Sequence, residues 1–139
     1  MLNQLDTLKS NFDINVMNNQ CFDGIIKNKQ NNIVITNDSL YRQLEDSLKI
    51  HPQNLYCDTA HLPPIDFSKY TLLACKSMGA CSIGFINRLV LEDKKYKKYI
   101  YRINIKYEGQ CKLLVITWNW VLVPKLPKDY CVSFELNEN

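Results

Sequence analysis

The 139-residue sequence holds only two histidines, four glycines and five prolines. So few glycines and prolines exclude collagen-like and low-complexity chains. The sequence has no glycine-rich phosphate loop, GxSxG elbow, HExxH pair or EF-hand loop, so the common nucleotide, hydrolase, zinc and calcium signatures are absent. No apolar run reaches the length that crosses a bilayer as a helix. Seventeen basic against fourteen acidic side chains leave a net charge of +3, too small an excess to imply a polyanion. The first ten residues, MLNQLDTLKS, lack the basic and apolar regions of a secretory leader.

Against these absences stand six cysteines, at positions 21, 57, 75, 81, 111 and 131. An even number in a small chain points to disulfides and an oxidising compartment, periplasmic or cell-surface, with any leader lying outside this sequence. The alternative is a cytoplasmic protein with free thiols.

The length suits a single domain spanning residues 1–139. Residues 1–32 carry little periodicity and read as an N-terminal extension. In it, FDINVM and CFDGII are candidate strands, and GIIKNKQNNIVIT resembles a hairpin closed by Lys27 to Asn32. Residues 33–136 read as a helix followed by an antiparallel core. After Ile33, Val34 and Ile35, the triplet Thr36, Asn37 and Asp38 supplies capping chemistry. Leu40, Tyr41, Leu44 and Leu48 then recur at helical spacing, predicting an amphipathic helix over about 38–48.

Pro52, Pro63 and Pro64 break the next stretch. Beyond it lie the β-rich runs KYTLLACK, IGFINRLVLE, KYIYRINIKY, KLLVITWNWVLV and YCVSFEL, with SMGACSIG joining the first two. In KYIYRINIKY, Tyr99, Tyr101, Ile103, Ile105 and Tyr107 alternate with Ile100, Arg102, Asn104 and Lys106, the signature of a strand with one buried face. The predicted class is α+β, predominantly antiparallel β, as a β-sandwich or open barrel with one amphipathic helix.

Lys94, Lys95, Lys97 and Lys98 crowd around Tyr96 just after Glu92 and Asp93. Between two β-rich runs this mixed-charge stretch reads as a solvated hairpin tip, because nucleic-acid surfaces spread their basic groups along a groove or helix face. No nucleic-acid partner is expected. A hairpin centred on Tyr96 also places Cys81 and Cys111 opposite one another, so these two are predicted to be bonded. Gly84 and Gly109 are candidate bulge positions near them. The pairing of Cys75 with Cys131 is a weaker expectation, resting only on both lying in strands. Cys21 and Cys57 complete the disulfide candidates.

Few residues suggest chemistry. Cys57 lies near His51 and His61, which allows a thiol–imidazole pair or half a metal site. A zinc site needs four ligands, usually with closely spaced cysteine pairs, which are absent. No catalytic residue, metal or cofactor is therefore expected. Asp66 and Ser68 read as a side-chain-bonded turn before a strand rather than as a general acid. Trp118 and Trp120 share one strand face with Leu114, Ile116 and Leu122. Either they pack in the core or, with Tyr99 and Tyr101, they form an exposed aromatic surface for a ligand such as a glycan.

PPIDFSKYTLL, the Gly–Cys segment, the lysine-tipped hairpin and WVLVPKLPKDYCVSFE together resemble small exported proteins of Bacteroidota, often lipoproteins of unknown function. More distantly, the arrangement over about 33–135 is similar to the C-terminal domain of PrcB-type protease-complex proteins. The resemblance implies an antiparallel β-sandwich, transfers no catalytic residue, and implies membrane attachment only through a lipid anchor upstream of this sequence. The reading that follows is a non-enzymatic exported module binding a protein or peptide. The alternatives are a glycan-binding module and, third, a small thiol-dependent enzyme.

Overall fold

A computed structural model describes residues 5–14, 31–49 and 62–139. Among these, the chain forms β1 (Leu5–Thr7), β2 (Asn32–Ile35), α1 (Asp38–Lys49), β3 (Tyr70–Ala80), β4 (Ser82–Asp93), β5 (Lys98–Glu108), β6 (Leu114–Pro124) and β7 (Cys131–Glu138).

The alternating run becomes β5. It buries Tyr99, Tyr101, Ile103 and Ile105 and pairs antiparallel with β4 from Asp93–Lys98 to Ser82–Glu108. The lysine-rich stretch at 94–97 is the turn between them. Lys97 there has φ 52°, and the Tyr96 amide donates to Asp93 Oδ1 at 3.1 Å. The register shifts between Ile83 and Phe85, so the bulge falls at Gly84. β3 and β6 pair antiparallel from Tyr70–Pro124 to Ala80–Leu114.

These two ladders are halves of one long ribbon. β3 passes into β4 through Cys81 alone, and β5 passes into β6 through residues 109–113. The ribbon doubles over at that level, so β3 and β6 enter one sheet while β4 and β5 enter another. Cys81 takes φ 71° and Gly109 φ 101° at the corner, left-handed geometry that glycine adopts readily and other residues rarely. A Cβ on Gly109 would lie 2.8 Å from Cys81 Cβ. Cys81 and Cys111 stand at disulfide distance with Cα atoms 5.3 Å apart, the pair anticipated from the hairpin register.

The sheets have strand orders β1-β4-β5-β7 and β2-β3-β6 and form a sandwich rather than a barrel. Between them pack Leu73, Cys75, Val121 and Val123 from one side and Val90, Tyr99, Tyr101, Ile103 and Ile105 from the other. The outer face of the three-stranded sheet is covered as well: Leu72, Ala74, Trp118 and Trp120 pack against Ile35, Tyr41, Leu44, Leu62 and Phe67. The helix begins at a side-chain cap, the Leu40 amide donating to Asn37 Oδ1 at 2.9 Å. Tyr41 donates its hydroxyl to Pro63 O at 2.6 Å, tying the helix to the segment before β3. The Asp66 turn is also present: Asp66 Oδ1 accepts from the Ser68 amide at 3.0 Å and the Ser68 hydroxyl at 2.5 Å.

Two features depart from the sequence reading. β7 runs parallel to β5 rather than antiparallel. β6 ends at the pole where β5 begins, so a short return through 125–130 starts β7 in β5's direction. The first residues are not an appended extension either. β1 pairs with β4, Leu8 donates to Val90 O at 2.9 Å, and Asn11 exchanges two bonds of 2.9 Å with Leu122 of β6. Residues 5–12 thereby strap the two sheets together along one side. The hairpin expected at 24–36 falls largely on residues outside those described; of it, β2 is seen.

The disulfide closes a loop with a sequence separation of 30, worth about 2–4 kcal/mol by loop-closure entropy. A Cys81→Ser/Cys111→Ser double variant should unfold at lower urea by that amount, and reductant should shift the unmodified protein's midpoint to the same place.

Candidate functional site

The aromatic residues offered by the sequence as a ligand surface do not form one. Trp118 and Trp120 are 4% and 6% exposed, and Tyr99 and Tyr101 are buried on the opposite side of the molecule's central layer. The reason is the three-layer packing. One face of β6 meets the helix layer and the other meets the second sheet, leaving neither for solvent over this stretch. The tyrosine hydroxyls are committed to main chain: Tyr99 donates to Pro124 O and Lys125 O, each at 3.2 Å, and Tyr101 to Asn119 O at 3.2 Å. Burial raises the pKa of both phenols.

The second cysteine pairing is also corrected. Cys75 and Cys131 are free thiols, the first buried in mid-strand and the second exposed at the start of β7. Lying in strands of different sheets did not bring them together. Cys21, Cys57, His51 and His61 lie outside the described residues. Among the described residues, no group of three or more His, Cys, Asp or Glu side chains could hold a metal. At the lysine tip, Lys94 pairs with Asp6 at 3.5 Å, an exposed contact of little energetic weight.

The strap of residues 5–12 closes one side of the sandwich. Along the opposite side, a cleft of about 290 Å³ opens between the β2–β3 edge and β7. It is lined by Asn31, Asn32, Cys75, Lys76, Met78, Phe134, Leu136 and Glu138. β2 has four residues and β3 eleven. β2 pairs only with Leu72–Cys75, after which the Lys76 amide donates to Asn31 O at 2.8 Å. Beyond that bond, among the described residues, no strand pairs with this edge of β3. The next outward amide, that of Met78, donates instead to Glu138 Oε2 at 3.1 Å. The same oxygen accepts the Tyr107 hydroxyl at 2.7 Å. Met78 itself is 50% exposed.

The thiol in the cleft is held in its protonated form. Burial, reinforced by the Glu138 charge, pushes the Cys75 thiol up to about 11. A thiol held protonated at neutral pH is a poor nucleophile. Burial and the bond to Glu138 likewise push Tyr107 up to about 12. What the cleft offers is a strand edge whose Met78 amide is held by a side chain, flanked by Phe134 and Leu136, and one carboxylate.

Neither Met78 nor Glu138 stands out in the sequence, where SMGACSIG reads as a turn rather than as the end of a long strand. The available signal was the disparity between the short NNIVIT run and the long β-rich run that follows the helix.

Comparison of the chain with protein-family models, with curated proteins and with solved structures gives no match.

The thiol assignments are checked by alkylation of native protein followed by peptide mapping. Cys131 should label within minutes, whereas Cys75 should label only after denaturation, even at pH 9. In the native protein the tryptophan emission should be blue-shifted and resistant to iodide quenching.

Proposed function

We propose that this protein is a non-enzymatic binding module that takes an extended peptide, or an extended segment of a protein, as an added strand on β3. The observation that carries the reading is the Met78 amide. It lies on a strand edge that no strand among the described residues pairs, beside a cleft, and is held by a side-chain carboxylate. A side chain can swing away, and an incoming peptide carbonyl can take its place. Strand addition of this kind draws affinity from main-chain bonds and selectivity from alternate side chains.

The Cys81–Cys111 pair supports an oxidising, exported setting for the module, as does its resemblance to exported Bacteroidota proteins; that kinship belongs to the proposal. The glycan reading loses its aromatic surface. Among the described residues, the exposed aromatic side chains Tyr70, Phe85 and Tyr96 sit on β3, on β4 and in the hairpin turn, and do not form a row along one strand.

The test is selection of linear twelve-residue peptides by phage display on the full chain. Synthetic binders are then measured by fluorescence anisotropy. Met78→Pro removes the edge amide and should weaken binding about tenfold or more, the scale of one or two lost main-chain bonds plus a steric block. Single backbone N-methylation should weaken binding at alternate peptide positions only, and this serves as the probe if the proline variant does not fold. Binders indifferent to both changes, or failure of any peptide to enrich, would overturn the reading.

A further inference from the structure

A strand on this edge meets a defined chemistry, and we infer that the module prefers peptides carrying a lysine or arginine at the position opposite Ser77. The inference rests on the strand-addition reading and deepens it.

Its first step is register. Directly opposed residues in neighbouring strands point to the same face. Along β3, Leu73 and Cys75 face the second sheet, and Ser77 continues that face, buried, with its hydroxyl donating to Thr117 O at 3.3 Å. A peptide residue opposite Ser77 therefore also turns toward the second sheet, at the mouth of the cleft. There it meets Phe134, Leu136 and Glu138 of β7.

The second step is the fate of Glu138. When a peptide carbonyl takes over the Met78 amide, Glu138 Oε2 loses one of its two donors and keeps the Tyr107 hydroxyl. Glu138 is exposed, so water can replace that donor, but the freed oxygen also stands ready for a charge-assisted bond to an incoming cation. A long basic side chain supplies one. Its methylene stem covers Phe134 and Leu136 while its charged head reaches the carboxylate. An aliphatic residue would fill the wall and leave the charge unanswered.

Lys76 also lines the cleft, but it does not pre-empt this site. It stands opposite Trp118 on the other face of β3, and no ion pair joins it to Glu138. Cys75, the remaining titratable group at this face, stays a neutral thiol at physiological pH.

The experiment uses the selected peptides on the full chain. In each, the basic residue at the inward position is replaced by norleucine, and both forms are titrated against the unmodified protein and Glu138→Gln. The unmodified protein should favour the basic peptide by about five- to tenfold at low salt. That ratio should fall to near one in Glu138→Gln and shrink with added salt in the unmodified protein. Binding that Met78→Pro abolishes, but with no basic preference or with an equal preference in Glu138→Gln, overturns this inference alone. Binding that ignores Met78→Pro overturns the strand-addition reading along with it.

Discussion

The architecture depends on one corner. A ribbon of two long strands, paired from Tyr70–Pro124 to Asp93–Lys98, can bury one face only if something packs on it. This chain packs the ribbon on itself. The corner needs backbone geometry that β-strands do not supply, and Cys81, with φ 71°, and Gly109, with φ 101°, provide it on the two strands at the same level. The Cys81–Cys111 pair holds that level together. Without the corner, Leu73, Val121 and Val123 would face water rather than Val90, Tyr101 and Ile103.

Doubling over brings polar groups inside as well. Asn119 is 1% exposed, and its Nδ2 donates to Cys75 O at 3.0 Å and Ser77 Oγ at 3.1 Å, while its carbonyl accepts the Tyr101 hydroxyl from the facing sheet. Asn119 Oδ1 and Arg88 Nε are buried without a hydrogen-bond partner. Such atoms are costly in a dry interior. The Tyr101 bond specifies the stacking, because sliding one sheet over the other would break it.

Much of this was legible in residues 33–136, because local periodicity decided it. The alternation of Tyr99 to Tyr107, the turn at Tyr96, the Asn37 cap, the Asp66 turn and the Cys81–Cys111 pair each follow from spacing within one ribbon or one turn. What stayed hidden depends on layers meeting. A strand apolar on both faces, such as 114–123, does not say which face meets solvent; the helix covering Trp118 and Trp120 decides it. The parallel course of β7 depends on where β6 ends in space. The place of residues 5–12 depends on the gap between two sheets, which no short-range pattern encodes. The candidate site belongs to this second kind, since Met78 and Glu138 are sixty residues apart and are joined only by the packing of β7 beneath β3.

Glu138 can also be read as edge protection, since charged side chains blunt the tendency of bare strand edges to pair with other molecules. The proposed reading rests on the surroundings of that carboxylate. On the β3 side, a cleft with an apolar wall adjoins the amide row, and a half-exposed methionine flanks it. A removable carboxylate over an open groove serves both ends. It satisfies the Met78 amide and, on the proposed reading, would give way at the cost of one exchangeable hydrogen bond when a strand arrives.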